Sequence, residues 1–202
     1  MLAILADRTY RHLFLAQVIA LLGTGLATVA LGLLAFDLAG EDAGMVLGTI
    51  FTIKMVAYVG LAPVAGAFAD RVPRRTLLVA LDLLRAGVAL ALPFVSEIWQ
   101  VYVLVFVLQS ASAAFTPTFQ ATIPDVLPEE DRYTRALSLS RLAFELESLA
   151  SPMLAAALLL VVSSGTLFWG TAAGFAGSAL LLLTIALPST APKAPRCPRT
   201  GC

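Results

Sequence analysis

Long apolar blocks separated by short polar breaks dominate the chain. Residues 13–36, 45–68, 76–94, 99–119, 136–162 and 166–187 are rich in Leu, Ala, Val, Ile and Phe and carry few charges. At 1.5 Å per residue each block can cross a hydrocarbon core of about 30 Å. Backbone N–H and C=O groups in lipid must find partners within the segment, so the six blocks are predicted as helices. The expected fold class is all-α, a polytopic membrane protein with six transmembrane helices over residues 1–187. From residue 188 the pattern stops: Pro188, Pro192, Pro195 and Pro198 punctuate a polar ending with no apolar periodicity. That stretch, 188–202, is expected to be a disordered, proline-rich tail.

Charge sharpens the picture. Only 13% of the 202 residues are charged, against 59% hydrophobic, where a soluble domain carries about 25% charged residues. Ten of the 13 lysines and arginines lie before block one, between blocks two and three, between blocks four and five, or in the tail. The other connections hold none, and carry Asp37, Glu41, Asp42 and Glu97 instead. The positive-inside rule then predicts both termini on the cytoplasmic side of the plasma (inner) membrane. Arg8 and Arg11 precede an apolar run too long for a cleaved signal, so the first block is expected to remain as an anchor. Cys197 and Cys202 fall on the reducing side, which argues against a disulfide.

The connection between blocks two and three reads Gly66-Ala67-Phe68-Ala69-Asp70-Arg71-Val72-Pro73-Arg74-Arg75. Asp70 can accept hydrogen bonds, and Arg71, Arg74 and Arg75 can pair with it or with anionic headgroups. The bland alternative is a basic, orientation-setting turn. The spacing G-x-x-x-D-R-x-[GP]-R-R resembles the signature loop between helices two and three of the major facilitator superfamily. Thr116-Pro117, the run Ile123 to Glu129, and Ala136-Leu137-Ser138 are similar to the helix 4–5 region of its bacterial multidrug and macrolide-type exporters. In helix 5, Ser151-Pro152 with Ala155 and Ala156 stands where such exporters carry a Gly-Pro pair, a departure that keeps small residues and loses the glycines. The resemblance implies two inverted three-helix repeats forming the N-terminal half of the fold. It also implies a gating role for Gly66, Asp70, Arg71, Arg74 and Arg75. Residues 121–135, with Pro124, Pro128 and three consecutive acidic residues, are expected to form an amphipathic surface segment joining the two triplets.

Ionisable residues inside the blocks are the other candidates. A lysine at mid-membrane costs roughly 2.5–3.5 kcal/mol on insertion scales, so Lys54 should face a partner or water. Asp82 and Arg85 are three apart and can pair along one helix, as can Arg141 and Glu145, four apart. Glu147 points about 200° from Glu145 at 100° per residue, so one glutamate is expected to line a cavity and the other to pair within the bundle. All six are candidate coupling or substrate residues, with a static ion pair as the competing reading and, for the shallow Arg141, snorkelling to the interface. Gln17, Thr24 and Thr28 on helix 1, and Gln109, Ser112, Thr116 and Gln120 on helix 4, form polar stripes. They suit either a cavity wall or interhelical hydrogen bonds. Pro63 and Pro152 are expected kinks, and Pro117 is expected near a helix end.

The single histidine, His12, lies at the membrane boundary, and no Gly-rich phosphate loop follows a strand. No metal, no cofactor, no nucleic acid and no enzymatic activity are expected. The expected function is secondary active transport, a proton-coupled efflux of a small amphipathic molecule. The expected partners are the lipid bilayer, the substrate, protons, and a second six-helix half or a homodimer partner. Full-length members of the family have about twelve helices, so a truncated product, half of a two-chain transporter and a homodimer all stay open. A transport-inactive or regulatory bundle is the alternative class.

Overall fold

The apolar blocks emerge as α-helices in a computed structural model that describes residues 2–69, 72–161 and 163–185, with the side chains of residues 2, 3, 62–69 and 164 left aside. Asp70, Arg71 and the 188–202 tail with its two cysteines fall outside the described residues. The helices are α1 (Arg8–Ala39), α2 (Ala43–Ala69), α3 (Arg74–Ala91), α4 (Ile98–Val126), α5 (Glu130–Leu159) and α6 (Ser164–Thr184). Among the described residues five helical stretches are long and apolar enough to cross a membrane, and the first, Arg8–Leu61, contains both α1 and most of α2. A 3-10 turn at Gly40–Asp42 separates those two helices. Gly40 sits there at φ +53°, a left-handed conformation that favours glycine. The chain is a multi-pass, all-α membrane protein.

Local signals explain the ends. Asp7 caps α1, its carboxylate accepting from the backbone N–H groups of Thr9 at 2.9 Å and Tyr10 at 3.0 Å. Pro73 precedes α3 and Pro93 lies in the 3-10 turn that follows it. The expected surface segment at 121–135 does not form. Instead α4 runs through Pro117 and Pro124 to Val126, and α5 starts at Glu130, leaving Leu127–Glu129 as the connection. Pro117 is therefore interior, where flanking helices can compensate for its missing N–H. The acidic run supplies the first turn of α5, where its charge complements the helix dipole.

Packing follows a pattern. α1 lies mainly against α6 and α5, α4 mainly against α2 and α3, and α3 also against α6. Exchanging α1 with α4, α2 with α5 and α3 with α6 leaves this set of neighbours unchanged. A repeat of three helices generates that symmetry. Tyr10, Leu13, Leu78, Leu108, Phe119 and Phe175 fill the shared core. α5 stands apart: its buried residues are Ala136, Ser140, Ser151 and Ala155, a single stripe of small side chains. That stripe lies against α1, and Tyr10 Oη of α1 donates to the Ala136 carbonyl at 3.2 Å. Leu142, Leu146, Leu149 and Met153 make part of the remaining surface of α5 exposed and apolar.

Candidate functional site

The open face of α5 carries charge at the middle of the helix. Arg141 and Glu145 are 82% and 69% exposed, with Nε and Oε1 3.9 Å apart. With Phe144 and with Thr116 and Gln120 of α4 they line a cleft of about 440 Å³ between α4 and α5. Lipid is a poor neighbour for such groups inside a membrane span. The cleft can offer a cation, a carboxylate, an amide and a hydroxyl to one molecule, beside an aromatic ring.

Glu147 turns the other way, as the 200° separation requires. It lies at the edge of an apolar cleft of about 300 Å³ between α1 and α5, lined by Phe14, Val18, Leu22, Leu139, Leu142 and Leu146 among others. Ser151, one turn on, donates to its Oε1 at 3.0 Å. Lys54 and Tyr58, one turn apart on α2, lie in electrostatic range of this carboxylate, and Tyr58 also in range of Arg85. Lys54 is half-buried. The two glutamates thus open onto different clefts on either side of α5.

Asp82 and Arg85 are placed quite differently. Their side chains are 0% and 3% exposed, ion-paired to each other between α3, α4 and α6. The guanidinium is sandwiched between the rings of Phe115 and Phe175, at 4.3 Å and 4.6 Å from their centroids, a geometry that favours a cation. Ser178 of α6 is beside Asp82. The pair lines neither of these two clefts, and its enclosure suits the static ion-pair reading. Three expected wall residues are likewise buried: Gln17, Gln109 and Ser112. Gln17 accepts from Ser140 Oγ of α5 at 3.0 Å, an interhelical bond rather than a wall contact. Thr24 and Thr28 donate to carbonyls of their own helix. Of the seven stripe residues, Thr116 and Gln120 line the α4/α5 cleft.

At the arginine-bearing end, Arg74 pairs with Asp125 of α4 at 2.5 Å and donates to the Ala121 carbonyl. Arg75 donates through Nε to the Leu182 carbonyl at 3.1 Å and through Nη2 to the Leu183 carbonyl. Arg75 thereby satisfies carbonyls in the last turn of α6, where a cation is favoured, while Arg74 braces the C-terminal part of α4. Gly66 lies in α2, where side-chain surroundings are not described, and Asp70 and Arg71 lie outside the described residues. Sequence reading missed Asp125 as a partner of Arg74, Tyr58 as a neighbour of Lys54, and Gly25 of α1, which touches Glu147 and Ser151. Tyr58 had a usable signal, its i,i+4 spacing from Lys54. A glycine inside an apolar helix has none.

Comparison with known proteins gives this arrangement a context. The sequence profile of the Major Facilitator Superfamily matches residues 13–200. An uncharacterized MFS-type transporter of Bacillus subtilis, YfiS, is 31% identical over 172 residues, covering 84% of this chain and 40% of that protein. Macrolide efflux protein A of Streptococcus pyogenes is 27% identical over 119 residues, 56% of this chain and 29% of its own length. Multidrug resistance protein MdtG of Serratia proteamaculans is 29% identical over 123 residues, 60% and 30% respectively. The chain thus spans less than half the length of the curated relatives it matches. With a profile match across nearly all of its helical bundle, the chain belongs to the Major Facilitator Superfamily.

Proposed function

We propose that the chain forms one wall of a secondary transporter that moves a small amphipathic molecule outward, coupled to protons. The observation that carries this reading is the exposed Arg141–Glu145 pair at the middle of α5. Charges exposed within a membrane-spanning helix call for water, substrate or a second protein wall rather than acyl chains. Substrate would contact Arg141, Glu145, Phe144 and Thr116 along the α4/α5 cleft. Glu147, opposed by Lys54, would take and release the coupling proton. The names of two relatives, a macrolide efflux and a multidrug resistance protein, support an exported amphipathic cargo.

The second wall would come from further sequence, from a separate six-helix chain or from a second copy. The relatives are more than twice as long as the matched stretch, which supports some such completion. The arginine-bearing end would face the cytoplasm, with Gly66, Asp70, Arg71, Arg74 and Arg75 acting as a latch against that wall. Proteoliposomes containing the chain, alone and co-expressed with a second six-helix partner, test the reading under an imposed pH gradient. Flux that Glu147→Gln abolishes, and that Lys54→Gln shifts in pH dependence, is the expected result. Absence of flux with every partner, together with unaltered behaviour of Asp70→Ala, would favour an inert or regulatory bundle instead.

A further inference from the structure

We propose that Gly25 is a positioning residue for Glu147, its missing side chain forming the notch on α1 in which the carboxylate is seated. The functional weight of this inference rests on the proposed coupling role of Glu147, but its geometry does not. A Cβ built on Gly25 would overlap three atoms of α5 at once, Ser151 Oγ, Ser151 Cβ and Glu147 Oε1. Those three belong to adjacent turns of α5 and are joined by the 3.0 Å hydrogen bond from Ser151 to Glu147. Ser151 is 2% exposed, so the hydroxyl cannot step aside into solvent.

The contact is specific to this glycine. Gly23, two residues earlier, faces α6, and a Cβ there would sit 3.4 Å from the Phe175 ring and the Thr171 carbonyl, close to ordinary van der Waals separation. A Cβ on Gly32 would meet nothing within 4 Å. Small residues on facing helices often serve close packing alone, and a packing role would need only Ser151 at the crossing. Here a carboxylate oxygen occupies the same notch. It is held between the α1 backbone and the Ser151 hydroxyl, with Lys54 and Tyr58 of α2 as the ionisable groups in electrostatic range. Without the notch Glu147 would have to swing toward the open α1/α5 cleft it already borders.

The test reads the carboxylate directly. The purified full chain in mild detergent is treated with a water-soluble carbodiimide and an added amine, and modification of Glu147 is followed by mass spectrometry. Exposed Glu145 serves as the internal reference. Gly25→Ala should raise the Glu147 rate several-fold relative to Glu145, while Gly32→Ala leaves it unchanged. Gly25→Ala/Ser151→Gly reopens the space taken by Ser151 and should recover thermal stability, yet keep Glu147 fast, because the new methyl still fills the carboxylate's seat. Ser151→Gly alone keeps the notch and loses the hydrogen bond, so its rate should fall between wild type and the double variant. Should Gly25→Ala not accumulate, the double variant carries the comparison.

An unchanged Glu147 rate in Gly25→Ala would overturn the proposal. So would a double variant that returns to the wild-type rate, which would make Gly25 a packing residue only. A Ser151→Gly rate equal to the double variant would assign the positioning to the hydroxyl and overturn it equally. If the rates move as expected while Glu147→Gln keeps full substrate flux, the coupling role of Glu147 fails and the positioning role stands.

Discussion

Inside the apolar stretches of α3 and α5 lies an oppositely charged pair at helical spacing, and these two pairs have opposite surroundings. On α3, Asp82 and Arg85 are enclosed, and two aromatic rings flank the guanidinium. On α5, Arg141 and Glu145 are mostly exposed and 3.9 Å apart. The difference comes from packing, since α3 lies between α4 and α6 while α5 rests on α1 through one stripe of small residues. A charged pair in a membrane helix therefore has no fixed meaning. Enclosed, it ties helices together; on an open face, it marks a surface that lipid does not suit.

Arg85→Ala should break this comparison most sharply. Removing one partner of a buried pair leaves an uncompensated charge, a loss of about 3–5 kcal/mol. Asp82→Leu/Arg85→Met removes both charges and should recover most of that stability. Reversible unfolding in mild detergent reads both. A mild effect of Arg85→Ala would mean that water reaches the pair and that α3 is not closed.

Arg75→Ala ranks next. The guanidinium holds the terminal carbonyls of α6 from the first turn of α3, and its loss should cost about 1 kcal/mol. Hydrogen exchange at the C-terminal turn of α6 should rise while that of α5 stays constant. The α1–α5 crossing is expected to be more lightly tied. Tyr10→Phe removes the bond to the Ala136 carbonyl and should cost about 1 kcal/mol. Ser140→Ala removes the bond to Gln17 and should cost about 0.6 kcal/mol, the average for such bonds in membrane bundles. If either exceeds Arg85→Ala in the same unfolding assay, the contrast between a tight α3 and a loosely held α5 is wrong.

The helices themselves were legible because lipid leaves the backbone no alternative. The opposite headings of Glu145 and Glu147 were legible too, since helical geometry dictates them. Gln17 was not. Its polar stripe with Thr24 and Thr28 reads the same whether it meets water or Ser140, and only the partner helix decides. Asp82 and Arg85 were predicted to pair, but their enclosure depends on Phe115 and Phe175 arriving from two other helices. The extension of α4 through Pro117 and Pro124 was misjudged because proline penalties measured in water overstate the cost where neighbouring helices restore the lost contacts.

The smallest expected effect is the one that completes the comparison. Arg141→Ala should change the unfolding free energy of the chain by no more than about 0.5 kcal/mol, as for other exposed substitutions. In the water-filled cleft proposed above, Arg141 loses little hydration in reaching Glu145, and an exposed pair gains little from its own attraction. Adding salt should leave the variant and the wild type equally stable, because screening removes an interaction that was already weak. Arg141→Ala and Arg85→Ala should therefore differ several-fold in cost although both delete a guanidinium facing a carboxylate. A large loss from Arg141→Ala, matched by Glu145→Ala and suppressed in the double variant, would show that this face of α5 is covered in the isolated chain. The open cleft beside α4 would then no longer be available to a substrate.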